Sequence, residues 1–452
     1  MDITRSALLT DLYELAMAQA YLDHGKTGTA VFEFFARKLP PNRGFLLAAG
    51  LEQALDFLQD FKFSSEDIEW LAKTRRFNGN LLNYLARMRF TGDVHGMPEG
   101  TVFFPDEPIL RVTAPLPEGQ MAESRLINIL HFQSLIASKA ARHVLLAPGK
   151  LLVDFGFRRA HGAEAGVMAA RASYIVGFGG TATVLAGELF GIPLYGTMAH
   201  SFIEAFEDEG AAFLAFAESR PKNLTLLIDT YDTEAAARKI VALSKLFESK
   251  GISVGSVRLD SGDLITLSKS VRRILDEGGL TGVKIFGSGG IDEDELIKFR
   301  ESGAPIDGFG IGTSLTTSSD LPALDCAYKL QEYDGLPRRK HSFGKATWPG
   351  RKQVWRSYGS DGRMEGDVLS LEGDPQPGEP LLKLVMKAGR HVAPSPTLAE
   401  IREHAALELE KLPEPLRRLD PNASYPVTIA AALRKLTAET DRRLAQLGAK
   451  AT

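Results

Sequence analysis

The middle of the chain repeats one pattern: a short apolar run rich in β-branched residues, a glycine or polar turn, then an amphipathic stretch. The runs are KLLVDFGFR, ASYIVGFGG, IPLYGTMAH, LTLLIDTYD, VGSVRLDSGD, VKIFGSGG and IDGFGIGTS. They return about every 20 to 30 residues, which is the spacing of a strand plus a covering helix. TEAAARKIVALSKLFESK (233–250) and DLITLSKSVRRILDEG (263–278) read as two of those helices. Near-continuous apolar strands alternating with amphipathic helices require a parallel sheet covered on its faces. About seven units favour an irregular βα barrel, an α/β fold, with an open doubly wound sheet as the other topology. The expected organisation is an N-terminal α/β domain at 1–135, the barrel with the active site at 136–335, and a C-terminal extension at 336–452 packing on the N-terminal domain. RVTAPLPEG (111–119) reads as a Pro-rich connection leading into the amphipathic SRLINILHFQSLIASKAARHV.

Polar residues and glycines gather at the C-terminal end of each run: Asp154 and Arg158, Thr181, Thr197 and His200, Asp229 and Asp232, Arg258 and Asp260, Gly289 and Gly290, Gly312 and Thr313. In a βα barrel those ends converge on the face that carries the chemistry. FGSGGIDEDEL and GFGIGTSLTT are glycine loops at the ends of the last two strands. Backbone N–H groups freed by such glycines bind phosphate, though tight turns alone would also explain either loop. Asp292 and Glu295 have the spacing of a capping box, and so do Asp11 and Glu14. Asp263, and Asp232 or Thr233, read as helix N-caps. Asp229 and Asp260 directly follow apolar strands, where a desolvated carboxylate needs a cation, a metal or a hydroxylated ligand. Arg258 alternates with Asp260 across Leu259 and so shares its face; it can read an anion or pair with one of these acids. His200, where a strand gives way to a helix, fits a core residue, a metal ligand, a general base or a nucleophile.

The chain has 452 residues, 44% hydrophobic and 24% charged, in the range of a globular protein of two or three domains. A single cysteine, Cys326, excludes an intrachain disulfide and a cysteine-based zinc knuckle. Net charge of -4 with interspersed signs offers no basic face for nucleic acid. No apolar run approaches a membrane span, and MDITRSALLTDLYELAMAQAYL is amphipathic rather than signal-like, so the expected compartment is the cytoplasm. GFGGTA (177–182) fits a dinucleotide-loop pattern formally, but lies too late in the chain and lacks the expected acid. No GxxxxGK[ST] loop and no HExxH spacing occurs. LLIDTYDT lacks the adjacent acids and the Thr-Gly loop of type I phosphoribosyltransferases.

Taken in order, TDLYELAMAQAY, FEFFARKLPPNRGFLLAAGLEQAL, FGFRRAHG, GTMAHSF, LIDTYDT, VRLDSGDL, FGSGGIDE, GFGIGT and GKATWPGRKQVWR resemble nicotinate phosphoribosyltransferase, a type II phosphoribosyltransferase family, from residue 10 to about 355. The resemblance implies transfer of phosphoribose from 5-phosphoribosyl 1-diphosphate (PRPP) to nicotinate, in NAD salvage, with Mg²⁺ and with ATP hydrolysis coupled through a phosphohistidine. It places that histidine at His200. Thr197 and Arg258 match nicotinate-site positions, Phe155 an aromatic that stacks on the pyridine, and Thr313 with Gly289, Gly290 and Gly312 the ribose phosphate. In that reaction Asp229 and Asp260 can hold the ribose and stabilise its developing positive charge, and Arg158, Thr181, Ser261 and Gly262 fall in the matched stretches. Tyr13 matches an aromatic from the neighbouring subunit of a homodimer with shared sites.

Nicotinamide phosphoribosyltransferase is the near competitor. Its loop after the second barrel strand carries an aspartate suited to a carboxamide, and the matching position here is Ala182, which favours the acid. Quinolinate phosphoribosyltransferase would call for more clustered cations. A barrel lyase would want a Schiff-base lysine at a strand end, whereas Lys150 and Lys284 sit near strand starts. A silent homologue acting through protein contacts is the remaining alternative.

Overall fold

The computed structural model describes residues 6–340 and 346–450, with side chains through 446. The opening MDITR and the first two residues of GKATWPGRKQVWR therefore lie outside the described residues. The chain forms two compact units, one of residues 1–138 with 323–452 and the other of residues 139–322.

In the first unit a seven-stranded antiparallel sheet is assembled from both ends of the chain. Its order is Leu336–Pro337, Cys326–Tyr333, Thr29–Ala36, Pro108–Pro115, Asp93–Gly96, Lys383–Lys387 and Arg390–His391. Thr29–Ala36 is buried along nearly its whole length, and Phe32 stacks on Tyr328 of the neighbouring strand at 5.0 Å. A second sheet carries Lys352–Tyr358 beside Met364–Leu371. Its buried Arg356 is neutralised by Asp367 at 2.7 Å and Glu408 at 2.9 Å, as a guanidinium removed from water requires. RVTAPLPEG is not a connection. Its first half completes the strand Pro108–Pro115, and Leu116–Met121 begins a helix with Pro117 in the first turn, where a missing N–H costs nothing. Asp11 is the N-cap of the helix Leu12–Asp23 by position, but the capping box is not made. Its carboxylate accepts from Ser124 Oγ at 2.8 Å, and Glu14 turns inward to accept from Gln120 at 2.9 Å.

The second unit holds the parallel sheet: Gly180–Thr181, Leu151–Asp154, Gly308–Ile311, Lys284–Ser288, Val254–Leu259 and Leu224–Leu227, in that spatial order. A single parallel bridge from Thr181 to Leu194 adds a seventh member beyond Gly180. Read round the ring, the members follow chain order, and the ladder between Leu151–Asp154 and Gly308–Ile311 joins first to last. No ladder joins the Leu194 segment to Leu224–Leu227 among the described residues; Thr197 Oγ1 donates to the Thr225 carbonyl across the gap at 2.5 Å. The result is an irregular βα barrel.

The helices begin where the capping residues say they should. Asp232 accepts from Ala235 N, Asp263 from Ile265 N and Thr266 N, and Asp292 from Glu295 N. Two of the seven runs are corrected. ASYIV is the end of the helix Ala163–Ile175, whose alanines favour helix, and Gly177 (φ +129°) breaks it before the two-residue strand. IPLYG supplies only the bridge at Leu194, because Pro193 has no N–H to give a ladder.

Candidate active site

Strand register dictates which side chains meet. Phe286 lies opposite Arg258 on the adjacent strand, so Ser288 and Asp260, two residues further along each, share the same side. Arg258 Nε donates to Ser288 Oγ at 2.8 Å and Nη2 to Asp260 Oδ1 at 2.7 Å. The Ser288 hydroxyl in turn donates to the same Asp260 oxygen. This triangle uses the Nε–Nη2 edge of the guanidinium. The Nη1–Nη2 edge keeps one long contact, Nη1 to the Met198 carbonyl at 3.4 Å. The guanidinium carbon lies 5.5 Å from the centroid of the Phe155 ring, whose other neighbour is Phe286 at 5.9 Å.

Room for Phe155 comes from the neighbouring strand. A Cβ at Gly310 would lie 2.4 Å from the Phe155 ring. Gly310, the middle glycine of GFGIG, therefore leaves space for the aromatic side chain, a task the phosphate-loop reading did not foresee.

Asp229 Oδ2 accepts from Asp260 N at 2.9 Å and from Ser261 Oγ at 2.6 Å, which ties the two strand ends together. Its Oδ1 is buried without a protein partner among the described residues. Asp260 is held ionised: burial opposes the charge, but the Ser288 hydroxyl and the Arg258 guanidinium outweigh it and lower the carboxyl below its ordinary value. His200 opens the short helix His200–Glu204. Its Nδ1 lies 3.1 Å from Thr230 Oγ1, and its Nε2 faces Asp260 Oδ2 at 4.0 Å. At that distance it is a partly exposed ring beside a carboxylate, not a satisfied core histidine.

Gly289 (φ +92°) and Gly290 (φ +67°) bend the chain between Ser288 and Ile291, ahead of the helix Glu293–Ser302. A Cβ at Gly289 would lie 2.0 Å from the Asp260 carbonyl, so only glycine fits. The loop after the last strand is stapled to it, since Ser314 Oγ donates to the Ile291 carbonyl at 2.6 Å. In that second loop Gly312 precedes the helical turn Thr313–Thr316, and Thr313 is exposed. Gly262 (φ +80°) turns the chain after Ser261.

His200, Thr197, Asp229, Asp260, Arg258, Phe155, Ser261 and Gly289 are thus linked by direct contacts or adjacent backbone. Two of the sequence candidates in this unit stand apart from that cluster, and a third lies in the other unit. Arg158 is exposed on the 3-10 turn Phe157–Arg159. The Thr181 hydroxyl is turned to Asp154 Oδ2 at 2.7 Å, where burial raises the carboxyl of Asp154. Tyr13 belongs to the first unit, on Leu12–Asp23, with 46% of its surface exposed. Sequence reasoning missed Ser288 and Thr230, each a hydroxyl at a strand end. The alternation Phe286–Ser288, parallel to Arg258–Asp260, was the available signal for the first. Among the described residues no group of three or more His, Cys, Asp or Glu side chains is arranged to hold a metal, and no helix is long and apolar enough to cross a membrane.

A cation laid over an aromatic ring, beside ionised carboxylates and a glycine turn at the C-terminal end of a parallel barrel, places the chain in the class of barrel enzymes that handle phosphorylated small molecules. Comparison with known proteins narrows the class. Residues 8–131, 151–334 and 375–437 match, in turn, the N-terminal domain, the family region and the C-terminal domain described for nicotinate phosphoribosyltransferase. The chain is 48% identical over 94% of its length to nicotinate phosphoribosyltransferase pncB2 of Mycobacterium tuberculosis, covering 91% of that protein. Human nicotinic acid phosphoribosyltransferase superimposes with a TM-score of 0.85 at 31% identity, over 95% of this chain and 99% of that one. The nicotinate-nucleotide pyrophosphorylase of Pyrococcus furiosus gives 0.73 at 28% identity, over 91% and 96%. The chain belongs to the nicotinate phosphoribosyltransferase family.

Proposed function

We propose that this chain joins nicotinate to PRPP, forming nicotinate mononucleotide and pyrophosphate in NAD salvage, with ATP as co-substrate. The observation that carries the reading is Arg258, laid over the Phe155 ring while Asp260 and Ser288 hold one edge of its fork. A flat aromatic acid is the ligand such a slot suits, its ring against Phe155 and its carboxylate on the remaining guanidinium edge. Ala182 puts no carboxylate in the loop after Thr181, which favours an acid over the carboxamide.

The pyridine nitrogen supplies the electron pair of the new C1–N bond as the C1–O bond to pyrophosphate breaks. Positive charge develops on the ribose, and Asp229 and Asp260 offer carboxylate oxygens to its hydroxyls and to that charge. Gly289, Gly290, Gly312 and Thr313 present backbone N–H groups to phosphate, with Ser261 and Gly262 in the adjoining loop. Asp229 Oδ1, buried and without a protein partner among the described residues, is a hard donor that fits Mg²⁺ arriving with substrate phosphates, as this ion prefers one or two carboxylates to a protein cage. When bound, Mg²⁺ supplies charge neutralisation of the pyrophosphate leaving group.

His200 accepts the terminal phosphoryl group of ATP: a P–N bond forms, the P–O bond to ADP breaks, and water later removes the phosphoryl as inorganic phosphate. The phosphoryl group adds negative charge beside Asp260, which would link ATP use to turnover. Tyr13 completes the site of a neighbouring copy in a cytoplasmic homodimer. The test is pyrophosphate release from purified protein with PRPP and Mg²⁺, offered nicotinate or nicotinamide, with and without ATP. Turnover with nicotinate, raised by ATP, is expected. Preference for nicotinamide overturns the Ala182 argument, and absence of release under every condition favours a silent homologue.

A further inference from the structure

Ser288 is buried, with 2% of its surface exposed, and its hydroxyl is the third corner of the Arg258–Asp260 pair. It accepts from Arg258 Nε and donates to Asp260 Oδ1, so its one proton and one of its lone pairs are both used. Without it, Arg258 Nε would face the barrel interior unpaired, and the guanidinium would be held only by its bond to Asp260 and the long contact to the Met198 carbonyl. With it, two of the three guanidinium nitrogens are fixed on one edge, and only the Nη1–Nη2 edge is left to a ligand. Asp260 is oriented by the same hydroxyl: Oδ1 is engaged, and Oδ2 is directed to His200 at 4.0 Å.

We infer that Ser288 is a positioning residue that makes Arg258 present its outer edge to the substrate carboxylate while aiming the second oxygen of Asp260 at His200. Ser288 touches no substrate in this arrangement; it acts through both neighbours. The inference rests on the functional reading above and adds which residue sets the geometry of the acid-binding arginine.

The experiment compares wild type, Ser288→Ala and Ser288→Thr in steady-state kinetics with nicotinate and PRPP varied separately, together with thermal melting. Ser288→Ala is expected to raise KM for nicotinate about tenfold, the size of one lost hydrogen bond to a charged group, while KM for PRPP moves less than about threefold. Ser288→Thr, which keeps the hydroxyl, recovers most of the nicotinate affinity. Unchanged nicotinate KM in Ser288→Ala, or an equal loss toward both substrates that follows a lowered Tm, overturns the inference and leaves the functional reading standing. An inactive wild type overturns the functional reading, and the inference falls with it.

Discussion

The hydroxyl of Thr197 donates to the main-chain carbonyl of Thr225 at 2.5 Å, and this bond spans the opening between the Leu194 segment and the strand Leu224–Leu227. Elsewhere round the ring neighbours are joined by ladders or, at Thr181 and Leu194, by a bridge. Thr197 is three residues before His200, so the closure and the placement of the histidine are coupled. Thr197→Val removes the donor at nearly constant shape. It is expected to cost about 1 kcal/mol of stability and to lower ATP-stimulated turnover more than turnover without ATP, whereas Thr197→Ser retains both. Denaturant melting and the two rates check this.

His200 is oriented by Thr230, 3.1 Å from its Nδ1. His200→Ala is expected to abolish ATP stimulation and leave slow ATP-independent turnover. Thr230→Val should reduce the stimulation about tenfold, the effect of one lost orienting hydrogen bond. Retention of acid-labile phosphate from γ-labelled ATP in wild type and its absence in His200→Ala is the direct assay.

Gly310→Ala would put a methyl group 2.4 Å from the Phe155 ring. The ring must leave its place under Arg258, with an overpacking cost of about 1–3 kcal/mol. The expected result is loss of nicotinate binding by calorimetry with PRPP binding retained, and a lower Tm.

Glu14 carries the clearest pH signature in the first unit. Burial raises its carboxyl to about 7, and the nearby Glu123 adds to the rise against hydrogen bonds from Gln120 and Tyr13. A carboxyl raised on folding stabilises the native state fully below its unfolded value, near 4.5, and that contribution is lost as pH rises through about 7. Wild type is therefore expected to lose stability relative to Glu14→Gln between those two values, with the difference constant above them. Urea melts at a series of pH values measure it.

The local signals in the sequence were sufficient for the elements. Asp232, Asp263 and Asp292 cap helices through backbone groups within three residues, and Lys284 starts a strand as its position suggested. The polar residues at the run ends were legible for a related reason: in a parallel sheet every strand points the same way, so chain order alone assigns them to one end. Where local signals conflicted, the reading failed. ASYIV satisfies a strand pattern, but the alanine-rich stretch before it carries the helix through Ile175, and Leu116–Met121 is helical despite two prolines nearby.

Tertiary structure alone decided how those ends meet. The ladder between Leu151–Asp154 and Gly308–Ile311, the Thr197–Thr225 closure and the Ser288 bridge join residues far apart in the chain. No short-range periodicity encodes such pairs, because each depends on strand register and on which side chain fills the space a distant glycine leaves. The same holds for Glu14 and Asp260. Both are carboxylates near strand or helix ends in the sequence, yet burial with a like charge raises one, while a serine and an arginine from register-matched positions lower the other. Composition and pattern determined an α/β chain of parallel strands with its polar residues at the strand ends, and favoured a barrel over an open sheet. The direction in which each charged group is tuned came from the folded environment, since desolvation and partner distance exist only there.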